Sequence, residues 1–189
     1  MPEPVFTVAN QITMLRMALV PAFVLLVLAR EFTWALVVFV VAGLTDALDG
    51  YVARHANQST RLGAMLDPVA DKLLAGSAFV VLTWSSVVSC AIPVWLTVTL
   101  LFRDVMLAVG VVVVNLTVGP REFSPSRLGK ASTALNIATG AAVLAANATG
   151  DCPGALRWLY AATLVVLIAS TIHYVYQASE RPPRRPEPV

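Results

Sequence analysis

Six segments of mostly apolar residues, each near the length of about 20 that crosses a bilayer core as a helix, divide this chain almost from end to end. They are Ile12–Ala29, Phe32–Ala53, Gly63–Ser86, Ala91–Val114, Ala131–Ala148 and Leu156–Tyr176. The chain is 58% hydrophobic and only 13% charged, where soluble domains carry roughly 25% charged residues. The expected fold is therefore all-α and polytopic, with six transmembrane helices in one domain over residues 1–178. Residues 179–189, with Arg181, Arg184 and Arg185 among prolines, cannot pack a core and are expected to form a disordered basic tail along anionic headgroups. The first segment is read as a retained span, because its leader is acidic, Pro21 lies inside it and no small-residue cleavage site follows.

Arginine and lysine set the orientation. One group of loops and ends holds Arg16, Arg54, Arg61, Arg121, Arg127, Lys130, Arg181, Arg184 and Arg185, whereas the opposite group holds only Arg30 and Arg157. The first group is expected on the cytoplasmic side of the inner membrane, together with both termini. The net charge of +2 is too small to imply nucleic-acid binding. Cys90 and Cys152 lack metal-ligand spacing. They are read as ordinary small apolar residues, with a disulfide across the outer helix ends as the alternative.

Against this apolar background, Asp46, Asp49, Asp67 and Asp71 fall within 26 residues and make up four of the chain's 11 acidic residues. Acids inside spanning segments are costly and usually mark a substrate, ion or metal site. Asp46 and Asp49 stand at i, i+3 in the inner half of the second segment, and Asp67 and Asp71 at i, i+4 in the first turns of the third. Each pair shares a helix face, and antiparallel neighbours joined by a short loop would bring the two faces together. Four clustered carboxylates stay ionised only beside cations. Oxygen ligands without Cys or His suit two hard ions, Mg²⁺ or Mn²⁺, of the paired kind that stabilises charge on phosphoryl groups. Gly50 and Gly63 permit close approach of a ligand to the backbone, Ala53 keeps that wall thin, and Arg54 suits a phosphate oxygen.

The run Asp46-x2-Asp49-Gly50-x2-Ala53-Arg54-x8-Gly63-x3-Asp67-x3-Asp71 resembles the signature of the CDP-alcohol phosphotransferase (phosphatidyltransferase) family at every fixed position. The resemblance implies a six-helix membrane enzyme, usually a homodimer, whose site opens to the cytoplasmic leaflet. It implies displacement of CMP from a CDP-linked lipid, such as CDP-diacylglycerol, by an alcohol hydroxyl. By position, Asp46, Asp49 and Asp67 would hold one metal and Asp46, Asp67 and Asp71 the second, with Asp71 also the general base. Gly50, Ala53 and Gly63 would line the CDP pocket, with Arg54 near the diphosphate.

The acceptor is marked less sharply. Arg103 and Asp104 lie mid-helix in the fourth segment, where isolated charges are costly; they form a local strut, or Arg103 reaches an anionic acceptor. Arg127 and Lys130 grip a phosphate or serve as positive-inside anchors. Arg103-Asp104-Val-Met and Asp67-Pro68-Val-Ala-Asp71-Lys72 resemble the cardiolipin synthase side of the branch that also contains phosphatidylglycerophosphate synthases. The expected acceptor is thus phosphatidylglycerol, with glycerol 3-phosphate the alternative. In both groups a Gln often stands where this chain has Asn136. Asn10, Thr13 and Arg16 resemble the family's N-terminal motif and also fit an interfacial anchor. An intramembrane prenyltransferase would need a longer chain. A small cation transporter would need internal repeats and a midplane site.

Overall fold

In the computed structural model of the protein, the backbone is described over residues 8–56, 61–117 and 127–180, and side chains over 14–45, 72–113, 116 and 128–176. The described residues form α1 (Val8–Leu28), α2 (Phe32–Ala56), α3 (Arg61–Thr83), α4 (Val94–Thr117), α5 (Arg127–Thr149) and α6 (Leu156–Glu180). Each apolar segment falls on one helix. Residues 181–189 of the basic tail, Arg121 and the side chains of Asn10 and Thr13 lie outside the described residues.

Helix ends explain the sharp reversals. α1 stops where Arg30 turns to φ 62°, the left-handed conformation that closes a helix. Glu31 N–H then donates to the Leu26 carbonyl and Arg30 N–H to the Val27 carbonyl, both at 2.9 Å. Arginine is unusual at such a position; its guanidinium donates to the Ser86 carbonyl at 2.9 Å, tying this turn to the end of α3. α5 ends the same way, at Gly150 with φ 74°.

α1 packs against α2 and α3, α5 against α2, α3 and α6, and α4 against α3 and α6. The sequence suggested direct α2–α3 pairing, but among the described residues that pair is not one of the main contacts. Instead α1 and α5 each touch both. Small residues on α5 allow it to sit this close: a Cβ added to Gly140 would lie 3.1 Å from Phe39 Cζ on α2. Phe23 of α1 meets Phe39 with ring centroids 5.7 Å apart. Phe79 and Leu82 of α3, Leu144 of α5 and Leu167 of α6 complete a fully buried core.

The outside of the bundle is apolar as well, with Phe102, Val105, Val165 and Ile172 all exposed. A continuous apolar exterior suits lipid rather than water. Val94–Val113 and Leu156–Tyr176 are long and apolar enough to cross a membrane, with shorter apolar stretches at Met14–Leu28, Phe32–Thr45 and Lys72–Thr83. All four tryptophans, Trp34, Trp84, Trp95 and Trp158, are exposed at one end of the bundle, as in an interfacial aromatic belt. Along α6, Tyr174 and Tyr176 stand at the other end. The rise from Trp158 to Tyr176 is about 27 Å, close to the thickness of a bilayer core.

At the tryptophan end Cys90 and Cys152 are bonded, with Cα atoms 5.6 Å apart, so the reading as two separate apolar residues is corrected. What the sequence could not supply was their separation in space. Asn147 supplies it: its Oδ1 accepts from the Ser89 and Cys90 N–H groups, and its Nδ2 donates to the Cys90 and Val143 carbonyls. The Tyr160 hydroxyl donates to the Ala91 carbonyl at 3.3 Å. The α3–α4 connection is thereby fastened to α5 and α6.

Candidate active site

The inward stripe of α2 is read from its buried residues, Ala35, Phe39 and Ala42. Continued in steps of three and four residues, that stripe passes through positions 46, 49 and 53, which are Asp46, Asp49 and Ala53. On α3, Leu74, Ala78 and Leu82 are buried, and the same stripe traced backwards runs through Asp71, Asp67 and Gly63. Both aspartate pairs therefore continue, by sequence spacing, the stripes that are buried where the side chains are described. The side chains of Asp46, Asp49, Gly50, Ala53 and Arg54 on α2, Gly63, Asp67 and Asp71 on α3, and Arg127 at the start of α5 lie outside the described residues.

The other helices bring polar groups to this same level. Two turns from the Phe23–Phe39 contact, antiparallel α1 and α2 place Arg16 level with Asp46. Arg16 is only 2% exposed, so it is not the interfacial anchor its N-terminal position suggested; it shares the inward stripe of Phe23 and Val27. On α5 and α6 the Thr139 and Thr163 hydroxyls meet at 2.8 Å. Two turns from them stand Ser132 and Ser170, both buried. The Ser170 hydroxyl accepts from Arg103 Nη2 at 3.3 Å, Arg103 Nη1 donates to Asp104 at 3.0 Å, and Lys72 donates to the same carboxylate oxygen at 2.5 Å. Lys72 immediately follows Asp71. Among the described residues, polar groups thus stand at one level on α1, α3, α4, α5 and α6, at the end opposite the tryptophans.

Within that layer the charges are unequally sheltered. The Arg103 side chain is 9% exposed, Asp104 16% and Lys72 51%. Arg103 is engaged as a strut between α4 and α6, with Asp104 shared by a buried and an exposed cation. Lys130 is exposed and stands roughly opposite Ser132 around α5. Among the described residues, no group of three or more His, Cys, Asp or Glu offers an alternative metal cluster. Sequence reasoning missed Ser132, Ser170 and the Lys72–Asp104 pair. Their signal was polarity at helical spacing on stripes that are otherwise apolar.

A family model for CDP-alcohol phosphatidyltransferase matches residues 6–173. The chain is 38% identical over 160 residues to a human protein named cardiolipin synthase (CMP-forming), an alignment covering 76% of this chain and 52% of that one. It is 43% identical over 113 residues to the Streptomyces coelicolor protein of that name, covering 57% and 51% of the two chains. A Mycobacterium tuberculosis protein named probable phosphatidylglycerophosphate synthase is 32% identical over 178 residues, covering 90% and 80%. The chain spans about half the length of these cardiolipin synthases.

Proposed function

The chain belongs to the CDP-alcohol phosphatidyltransferase family, and from that premise we propose that it transfers a phosphatidyl group from CDP-diacylglycerol to an alcohol, releasing CMP. The acceptor in this reading is phosphatidylglycerol and the product cardiolipin. The observation that carries it is the continuation of two buried stripes into Asp46, Asp49, Asp67 and Asp71 at the level of the polar layer. Two carboxylates on each of two helices, all oxygen donors, fit a pair of Mg²⁺ or Mn²⁺ ions. Such ions supply charge neutralisation on the diphosphate when bound.

The chain's own groups account for the rest. Asp71 accepts the proton of the acceptor hydroxyl, whose oxygen forms the new bond to the lipid-side phosphorus as the bond to the CMP oxygen breaks. Gly50, Ala53 and Gly63 leave room for the nucleotide, and Arg54 pairs with the diphosphate. Arg127 and Lys130 serve as anionic-acceptor or headgroup contacts. Arg103 supports acceptor binding through the strut it makes with Asp104 and Ser170. All six helices span the cytoplasmic (inner) membrane, with the aspartate end and both termini on its cytoplasmic side. The arginine distribution, the tryptophan belt and a disulfide at the opposite end, which calls for an oxidising compartment, support that orientation. The functional unit is a homodimer, as the family resemblance implies.

A second reading, glycerol 3-phosphate as acceptor, is favoured by the Mycobacterium tuberculosis relative, which aligns over 90% of this chain. The test is CMP release by purified protein in lipid micelles with CDP-diacylglycerol and Mg²⁺ or Mn²⁺. Phosphatidylglycerol and glycerol 3-phosphate are supplied singly, with serine and inositol phosphate as controls. Release with phosphatidylglycerol alone supports the first reading, and release with glycerol 3-phosphate alone supports the second. No release with any acceptor defeats both.

A further inference from the structure

Among the described residues, buried polar atoms in the layer that lack a hydrogen-bond partner include Ser132 Oγ, Asn136 Oδ1 and Arg103 Nε. Ser132 is 1% exposed and Asn136 7%. Hydroxyls in apolar helices ordinarily satisfy themselves on the carbonyl four residues back, as Thr133, Thr139 and Thr163 do here. Ser132 does not. An unsatisfied buried polar group is costly, so a cluster of them at one level of the bundle calls for a partner.

The three residues are related by helix register. Ser132 and Asn136 are one turn apart on one face of α5, between the direction of Gly140, which meets α2, and that of Thr139, which meets α6. Ser132 is level with Ser170, the residue that holds Arg103. Asn136 is level with Gly43 of α2, four residues along from Phe39, and a Cβ added at Gly43 would meet nothing within 4 Å. Open space at Gly43 thus lies at the level of Asn136.

This set is complementary to neighbouring hydroxyls. Asn136 Oδ1 needs a donor, Arg103 Nε needs an acceptor, and Ser132 Oγ takes either part. Arg103 already carries Asp104, so a phosphate is not what is missing. We propose that Ser132 and Asn136 form a polyol subsite that seats a pair of substrate hydroxyls beside the reacting centre. This rests on the phosphatidyl-transfer reading above, in which the hydroxyls belong either to the glycerol of the acceptor or to the ribose of the CDP donor.

The experiment uses Ser132→Ala, Asn136→Leu and the double variant of the full chain in lipid micelles. CMP release is measured while acceptor and donor are varied separately, with CDP-diacylglycerol and its 2′-deoxyribose counterpart as donors. Thermal stability is measured without substrate. Removing an unsatisfied polar group relieves a cost in the substrate-free protein, so Asn136→Leu keeps or raises Tm. Its KM for the liganded substrate rises about 3- to 10-fold, the range of one lost hydrogen bond. A rise confined to the acceptor assigns the hydroxyls to the acceptor's glycerol. Loss of a wild-type preference for the ribose over the deoxyribose donor assigns them to CDP. Unchanged constants for both substrates, with wild-type protein active, overturn the subsite and leave the transfer reading intact. Absence of CMP release by the wild type removes both.

Discussion

Asp104→Leu is the substitution whose consequence follows most directly from the packing. Asp104 carries two cations of very different exposure, Arg103 at 9% and Lys72 at 51%. The Lys72 half is half-exposed and is worth about 1 kcal/mol or less. The Arg103 half is different. Without the carboxylate, a guanidinium remains buried between α4 and α6 with Ser170 as its one side-chain partner among the described residues, and breaking such a pair costs about 3–5 kcal/mol. The sum, about 4 kcal/mol, is a large share of a typical folding free energy of roughly 5–15 kcal/mol. At about 2–4 °C per kcal/mol for a chain of this size, Tm falls by roughly 8–16 °C. The companion variant Arg103→Met suffers similarly, having stranded a half-buried carboxylate with only Lys72. In the double variant no buried charge remains, Lys72 extends to the surface along its aliphatic stem, and stability returns to within about 1 kcal/mol of wild type. Thermal unfolding of the four proteins in the same detergent gives the coupling energy. Strict additivity of the two losses, or an Asp104→Leu cost below about 1 kcal/mol, would refute the strut.

The other end of the bundle makes its own predictions. Asn147→Ala removes a side chain that makes four hydrogen bonds; at about 1 kcal/mol each, Tm drops sharply in the same unfolding assay, while KM values of the surviving fold stay put. Cys152→Ser, or reductant on the wild type, opens a link between residues 62 apart in sequence, and loses about 4 kcal/mol by loop-closure entropy, measured by denaturant unfolding before and after reduction. Asp71→Asn lowers CMP release at least about 100-fold without lowering Tm; residual activity near wild type would reassign the base. Chelation with EDTA abolishes CMP release, and added Mg²⁺ or Mn²⁺ restores it.

Much of the fold was legible because hydrocarbon permits so few solutions. An apolar run of about 20 residues is a helix whatever surrounds it, and all six runs from Ile12 to Tyr176 fall on helices. The aspartates were legible for the related reason that four acids at helical spacing in apolar segments have no inexpensive bland explanation. Arg16 was harder. With Asn10 and Thr13 it fitted a family-like motif and an interfacial anchor equally, and only the packing of α1 against α2 and α3 buries it. Ser132 and Ser170 were harder still, since their only signal was polarity at helical spacing on otherwise apolar stripes, which names no partner.

The sequence by itself thus determined the number and type of elements, the end of each helix that bears acid, and the family to which the pattern belongs. Those properties depend on composition and on spacing along one helix, which the chain order contains. The tertiary structure alone decided that α1 and α5 each touch both aspartate-bearing helices, that Asp104 binds Lys72 as well as Arg103, and that Cys90 reaches Cys152. Each of these depends on which helix faces meet and at what height. That is set by side-chain volume at the seams, such as Phe39 lying against Gly140, and no spacing within one helix records it.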